Sequence, residues 1–104
     1  GLVVAKAQLP VILESIAEKY GFRYTKVGVR RMKSRWGSCS PKNNISLNSA
    51  LIFLTYDLIE YVLLHELVHT VHKNHGKGFW DMLIKLMPDA VVRRKKLNTC
   101  DMII

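Results

Sequence analysis

The sequence predicts an α+β domain in which helices pack with a short antiparallel sheet or hairpin, and three observations predict it. Apolar residues recur at helical spacing in residues 10–20, 57–69 and 79–86. Between the first two stretches, residues 24–32 alternate as a strand does and residues 45–48 form a second extended run. The chain has 104 residues, 49% of them hydrophobic, which is enough for one core, and it shows no repeat, low-complexity stretch or internal boundary.

The elements follow in order. Pro10 suits the first turn of a helix, Ile12, Leu13, Ile16, Ala17 and Tyr20 line one side of it, and Gly21 ends it. In the first strand Val27 and Val29 point to one face, and Lys26, Gly28 and Arg30 to the other. Residues 33–44, with Gly37, Ser40, Pro41, Asn43 and Asn44, read as a polar loop that leads into the second strand. Asp57 with Glu60 three residues later resembles a capping box ahead of a helix apolar enough to be buried. Phe79, Met82, Leu83 and Leu86 then mark a short amphipathic helix that Pro88 stops.

The chemistry sits on the buried helix, in the run His65-Glu66-Leu67-Val68-His69. Histidines four apart share one helix face, where both imidazoles can hold one zinc ion, and Glu66 beside them is placed to take a proton from a zinc-activated water rather than to ligate. The pattern has only three fixed positions and also arises by chance. Two histidines and a glutamate in a buried helix nevertheless need partners, and a divalent cation is a natural one.

A third ligand is available at His72 or His75. His72 lies seven residues beyond His65, about 10.5 Å along a continuing helix, so the three ligands would fall almost in a line. Tetrahedral zinc asks for a ligand from off the axis. If the helix stops near Asn74, in the left-handed conformation that asparagine tolerates and with Gly76 and Gly78 following, His75 swings back. The expected ligands are therefore His65, His69 and His75 around one Zn2+ per chain. His72 is left as an outer partner, a solvent-facing residue or the alternative ligand. Asp81 is either an outer partner of a ligand imidazole or a solvated acid in a first helical turn.

Arg31-Met32-Lys33-Ser34-Arg35-Trp36-Gly37-Ser38-Cys39, Ile45-Ser46-Leu47-Asn48, Tyr61-Val62 ahead of the histidine run, and Asn74-His75 with Phe79-Trp80 occur in that order. Together they resemble the YgjP-like metallopeptidase family, which is related at the level of fold to SprT-like and other zincin proteases. The resemblance spans residues 9–98. It implies a small zincin-like catalytic domain over residues 1–104, with zinc on His65, His69 and His75 and with Glu66 as catalytic base. The family usually carries a further β-rich N-terminal region, which is expected to lie outside these 104 residues, and often has serine where Gly76 stands. In zincins an edge strand beside the active-site helix binds extended substrate by strand addition, which gives the expected hairpin a function. Arg35 would then stabilise a developing oxyanion and Trp36 wall the cleft; alternatively, Trp36 is core and Arg35 a structural hydrogen-bonder. No tyrosine stands out as a transition-state stabiliser.

The formal charge is +8, gathered in Arg30, Arg31, Lys33, Arg35 and in Arg93, Arg94, Lys95, Lys96. Such clusters attract phosphate-rich partners, which raises two alternatives to peptide hydrolysis: a nucleic-acid-associated protease, or a nucleotide phosphoanhydride hydrolase using the same zinc. A non-catalytic basic binding module with structural zinc would need a fourth protein ligand, for which Cys39 is the remote candidate. Otherwise the charge forms a solvated face. Cys39 and Cys100 are too few for a disulfide framework and make no C-x-x-C pair, so a reducing cytoplasm is expected and Cys39 reads as a buried thiol. No apolar run reaches membrane-spanning length, and the start at Leu2-Val3-Val4-Ala5 is too short for a signal peptide.

Overall fold

A computed structural model describes residues 1–100. Helix α1 (Leu2–Tyr20) leads to strands β1 (Lys26–Arg30), β2 (Gly37–Cys39) and β3 (Asn44–Asn48), then through a 3-10 turn (Ser49–Phe53) to helices α2 (Tyr56–Val68), α3 (Lys77–Leu86) and α4 (Ala90–Asn98). None of these helices is long and apolar enough to cross a membrane.

The first helix starts eight residues before Pro10. Ala5, Leu9, Leu13, Ile16 and Ala17 form a buried stripe along it, and this packing outweighs the one backbone hydrogen bond that an internal proline forgoes. Gly21 ends the helix with φ +80°, where a side chain would be strained, and its N–H reaches back to the Ala17 carbonyl at 2.8 Å.

The sheet corrects the expected antiparallel hairpin. Its order is β1-β3-β2, with β1 parallel and β2 antiparallel to β3. The true hairpin joins β2 to β3 through Ser40–Asn43, where Asn43 takes φ 64° and donates its N–H to the Ser40 carbonyl at 2.9 Å. That third strand lies inside the stretch read as a loop; Gly-Ser-Cys is too short to show a period. Asn48, fully buried, fixes the segment between β1 and β2: its amide donates to the carbonyls of Met32 (3.0 Å) and Arg35 (2.9 Å), and its Oδ1 accepts from the Ala50 N–H.

Helix α2 is apolar on nearly every side and runs through the core, flanked by α1, α3, α4 and β2. Its N-cap is Thr55, two residues before the Asp57 that the expected capping box with Glu60 would make the cap. Both acids serve elsewhere. Glu60, 8% exposed, accepts from Arg93 at 2.9 Å and Lys19 at 3.2 Å, which joins α1, α2 and α4 through one satisfied buried carboxylate. Asp57 pairs with Thr55 and with Lys96.

Candidate active site

His65 and His69 leave the last turn of α2 on one face, as their spacing requires. The α-helix proper ends at Val68, earlier than the expected stop near Asn74, and tight turns follow: Val71 and His72 both donate to the Val68 carbonyl, at 3.0 and 2.9 Å. Asn74 is not left-handed; among the described non-glycine residues only Asn43 is. The reversal is spread over residues 70–76 rather than concentrated in one residue, and it returns His75 to the helix end.

His75 Nε2 lies 2.9 Å from His69 Nε2 and 3.3 Å from His65 Nε2. Among the described residues these three histidines form the group able to hold a metal ion, their ligand atoms all within 4.8 Å of one another. Nδ1 of His69 faces the His72 carbonyl at 2.9 Å, and Nδ1 of His65 faces Glu66 Oε2 at 3.2 Å. Both partners only accept, so each Nδ1 carries the hydrogen and each Nε2 presents a lone pair to the cluster. Burial pushes His69 and His75 below the ordinary histidine range, and the neighbouring His65 adds to this. Neutral imidazoles with converging lone pairs repel unless a cation lies among them. Three nitrogen donors with no carboxylate in the set suit a first-row transition metal that keeps an open position.

Phe79, fully buried on α3, backs all three rings. Its centroid is 4.5 Å from that of His69, nearly stacked, and 4.9 Å from those of His65 and His75. The sequence marked Phe79 as core; its second task of fixing ring orientation has no signal in the pattern.

Glu66 is 5% exposed and faces β2. A Cβ on Gly37 would come within 3.1 Å of Glu66 Cγ, 3.2 Å of its Oε2 and 3.2 Å of the Ser46 carbonyl, so glycine is what admits the carboxylate beside the sheet. Two cavities open around the glutamate, and both touch Gly37, His65 and Glu66. Trp36 borders one, together with Tyr61; Arg35 borders the other, together with Cys39 and Lys73.

The remaining candidates lie as follows. The His72 carbonyl holds His69, while the His72 ring packs over Gly78, where a Cβ would meet it at 2.9 Å. Asp81 is exposed and bound to Lys77 at 2.6 Å, so its carboxylate is engaged by a lysine and not by an imidazole. Cys39 stands outside the metal-competent group, and burial raises its pKa, keeping it a thiol. Tyr61, one turn before His65, belongs to the family motif but has no role assigned from the sequence; its ring centroid is 5.9 Å from that of His65, and burial raises its pKa so that the phenol stays protonated. Part of the basic surface is neutralised internally, since Arg93 pairs with Glu60 and Asp89, and Lys96 with Asp57.

A buried glutamate beside converging imidazoles, set against the edge of a small sheet, is the plan of a metal-dependent peptidase. Residues 3–100 match the family model of the YgjP-like metallopeptidase domain, and the chain belongs to that family. Two solved structures share the fold. The metallopeptidase zymogen abylysin of Pyrococcus abyssi is 26% identical, with TM-score 0.76 over 88% of this chain and 93% of that one. The zymogen jannalysin of Methanocaldococcus jannaschii is 23% identical, with TM-score 0.72 over 86% and 93%. No curated protein matches the chain. The protein is a metallopeptidase, and its α+β architecture is that of these relatives.

Proposed function

We propose that the metal is zinc, one ion per chain, held by His65, His69 and His75, and that Glu66 is the catalytic base for cleavage of an extended peptide. The convergence of the three Nε2 atoms beside a glutamate kept out of the ligand set carries this reading. When bound, such an ion acidifies a water and draws electron density from a scissile carbonyl. Glu66 Oε2 takes the proton from the attacking water and passes it to the leaving amine. β2 is an edge strand next to α2, so its free backbone groups can align a substrate strand across the glutamate. Arg35, which borders one cavity, would favour negative charge on the carbonyl oxygen, and Trp36, which borders the other, would wall the cleft.

Chelation should remove activity against a mixed fluorogenic peptide pool, and one equivalent of zinc should restore it. Turnover that persists in metal-free protein would overturn the assignment. Gly37→Ala should retain zinc but displace the Glu66 carboxylate by a few tenths of an ångström, lowering kcat/KM by less than the roughly hundredfold that a full ångström of misplacement costs. Normal kinetics in that variant would show that the close contact is irrelevant to catalysis.

A further inference from the structure

The cavity on the Trp36 side, of about 210 Å³, is bordered by α4, which brings Arg94, Leu97 and Asn98 to it along with Tyr61, His65 and Glu66. The neighbouring cations of α4 are already engaged: Arg93 binds Glu60 and Asp89, and Lys96 binds Asp57. Arg94 has no carboxylate partner among the described residues. Its guanidinium lies over the Trp80 ring, 5.3 Å from the centroid, which steadies it without neutralising it. The other cavity holds cations too, Arg35 and a Lys73 bound to the Ser40 carbonyl and to Asn43, but it lies on the metal-ligand side, with His69 and His75 in its wall.

Taking the peptidase reading above as its basis, we propose that Arg94 is a specificity residue, receiving a carboxylate of the peptide substrate in the cavity between α2 and α4. That carboxylate is either an acidic side chain adjoining the scissile bond or the free C-terminus of a short peptide. A guanidinium offers a planar fork that pairs with both carboxylate oxygens, and Trp36, Val62 and Leu97 line the cavity beside it while Arg94 itself stays exposed to solvent. Asn98, four residues on, lines the same cavity and adds an amide donor. The carboxylate of Glu66 shares the cavity but is occupied with His65. The incoming anion therefore meets, in a cavity that His65 and Glu66 also line, a cation with no carboxylate partner among the described residues.

The test uses zinc-loaded protein and matched fluorogenic octapeptides that differ as Glu against Gln on either side of the cleaved bond, each made with a free or an amidated C-terminus. Wild-type enzyme should favour the carboxylate member of one pair by about tenfold in kcat/KM, the order expected of a charge-assisted hydrogen bond. The pair that responds identifies the source of the carboxylate. Arg94→Ala should bring the ratio close to one, Arg94→Lys should keep part of it, and Arg94→Glu should invert it. An arginine that merely packs on Trp80 would lower both members together and leave the ratio unchanged, and that result overturns the proposal. So does a wild-type enzyme indifferent to every pair. If wild type cleaves none of the peptides, the peptidase reading fails by itself, and calorimetric titration of the same pairs into Glu66→Gln, with and without Arg94→Ala, still decides. A tenfold affinity ratio that vanishes with Arg94 supports the carboxylate site, and equal affinities refute it.

Discussion

Glu66→Gln should bind zinc with unchanged stoichiometry and lose peptide hydrolysis by about a thousandfold or more, within the range that a positioned general base supplies. The two side chains have nearly the same shape, so the fit against Gly37 survives, and a glutamine oxygen still accepts from His65 Nδ1. What disappears is the capacity to hold a proton between attack and departure of the amine. The three imidazoles converge without the carboxylate, so metal content should not change. Steady-state kinetics, metal analysis and near-ultraviolet circular dichroism on one preparation separate the effects. Retained turnover would remove Glu66 from the mechanism, whereas loss of zinc would give it a ligand's or a structural role.

Much of this arrangement is legible in the sequence because it is local. The i, i+4 spacing fixes which face of α2 carries His65 and His69, and the apolar residues around them declare that helix buried. The α+β class follows from the same periodicities. The sheet topology was not legible, because β2 has three residues and its pairing depends on a turn at Asn43 whose φ no pattern declares. The start of α1 is hidden for another reason: Pro10 is a good first-turn residue, and only the burial of Ala5 and Leu9 shows that the helix is already under way. Long-range features of the site were silent as well. Gly37 meets Glu66 across 29 positions of sequence, and Arg94 reaches the cavity from α4.

The stiffness of the site comes from neighbours that do no chemistry. Phe79 holds three rings at once, so the imidazoles are prearranged by packing before any ion binds. Glu60 fixes α4 to α2 through Arg93, immediately before Arg94. The cavity is therefore bounded by two helices whose separation an ion pair and the core set together. A loop in place of α4 would leave Arg94 free to wander, and the ordering cost would fall on substrate binding.

His75→Ala should abolish stoichiometric zinc binding, while His72→Ala should leave it nearly intact. Loss of an outer partner typically costs about ten- to a hundredfold in metal affinity, and loss of one of three direct ligands should exceed that. His72 acts on the cluster through its backbone carbonyl, which alanine retains, so the His69 Nδ1 hydrogen bond at 2.9 Å survives the substitution. Only the packing of its ring over Gly78 is lost. The contrast has a readout independent of catalysis. An ion that binds the folded state alone raises the melting temperature as its concentration rises. Added zinc should therefore raise Tm in wild type and in His72→Ala, and leave it almost unmoved in His75→Ala. Apo His75→Ala should lose little stability, because His75 is exposed and removing it relieves the crowding of ring nitrogens at 2.9 and 3.3 Å. The opposite pattern, with zinc stabilising His75→Ala and not His72→Ala, would move the third ligand to the other histidine and require residues 70–76 to refold around the ion.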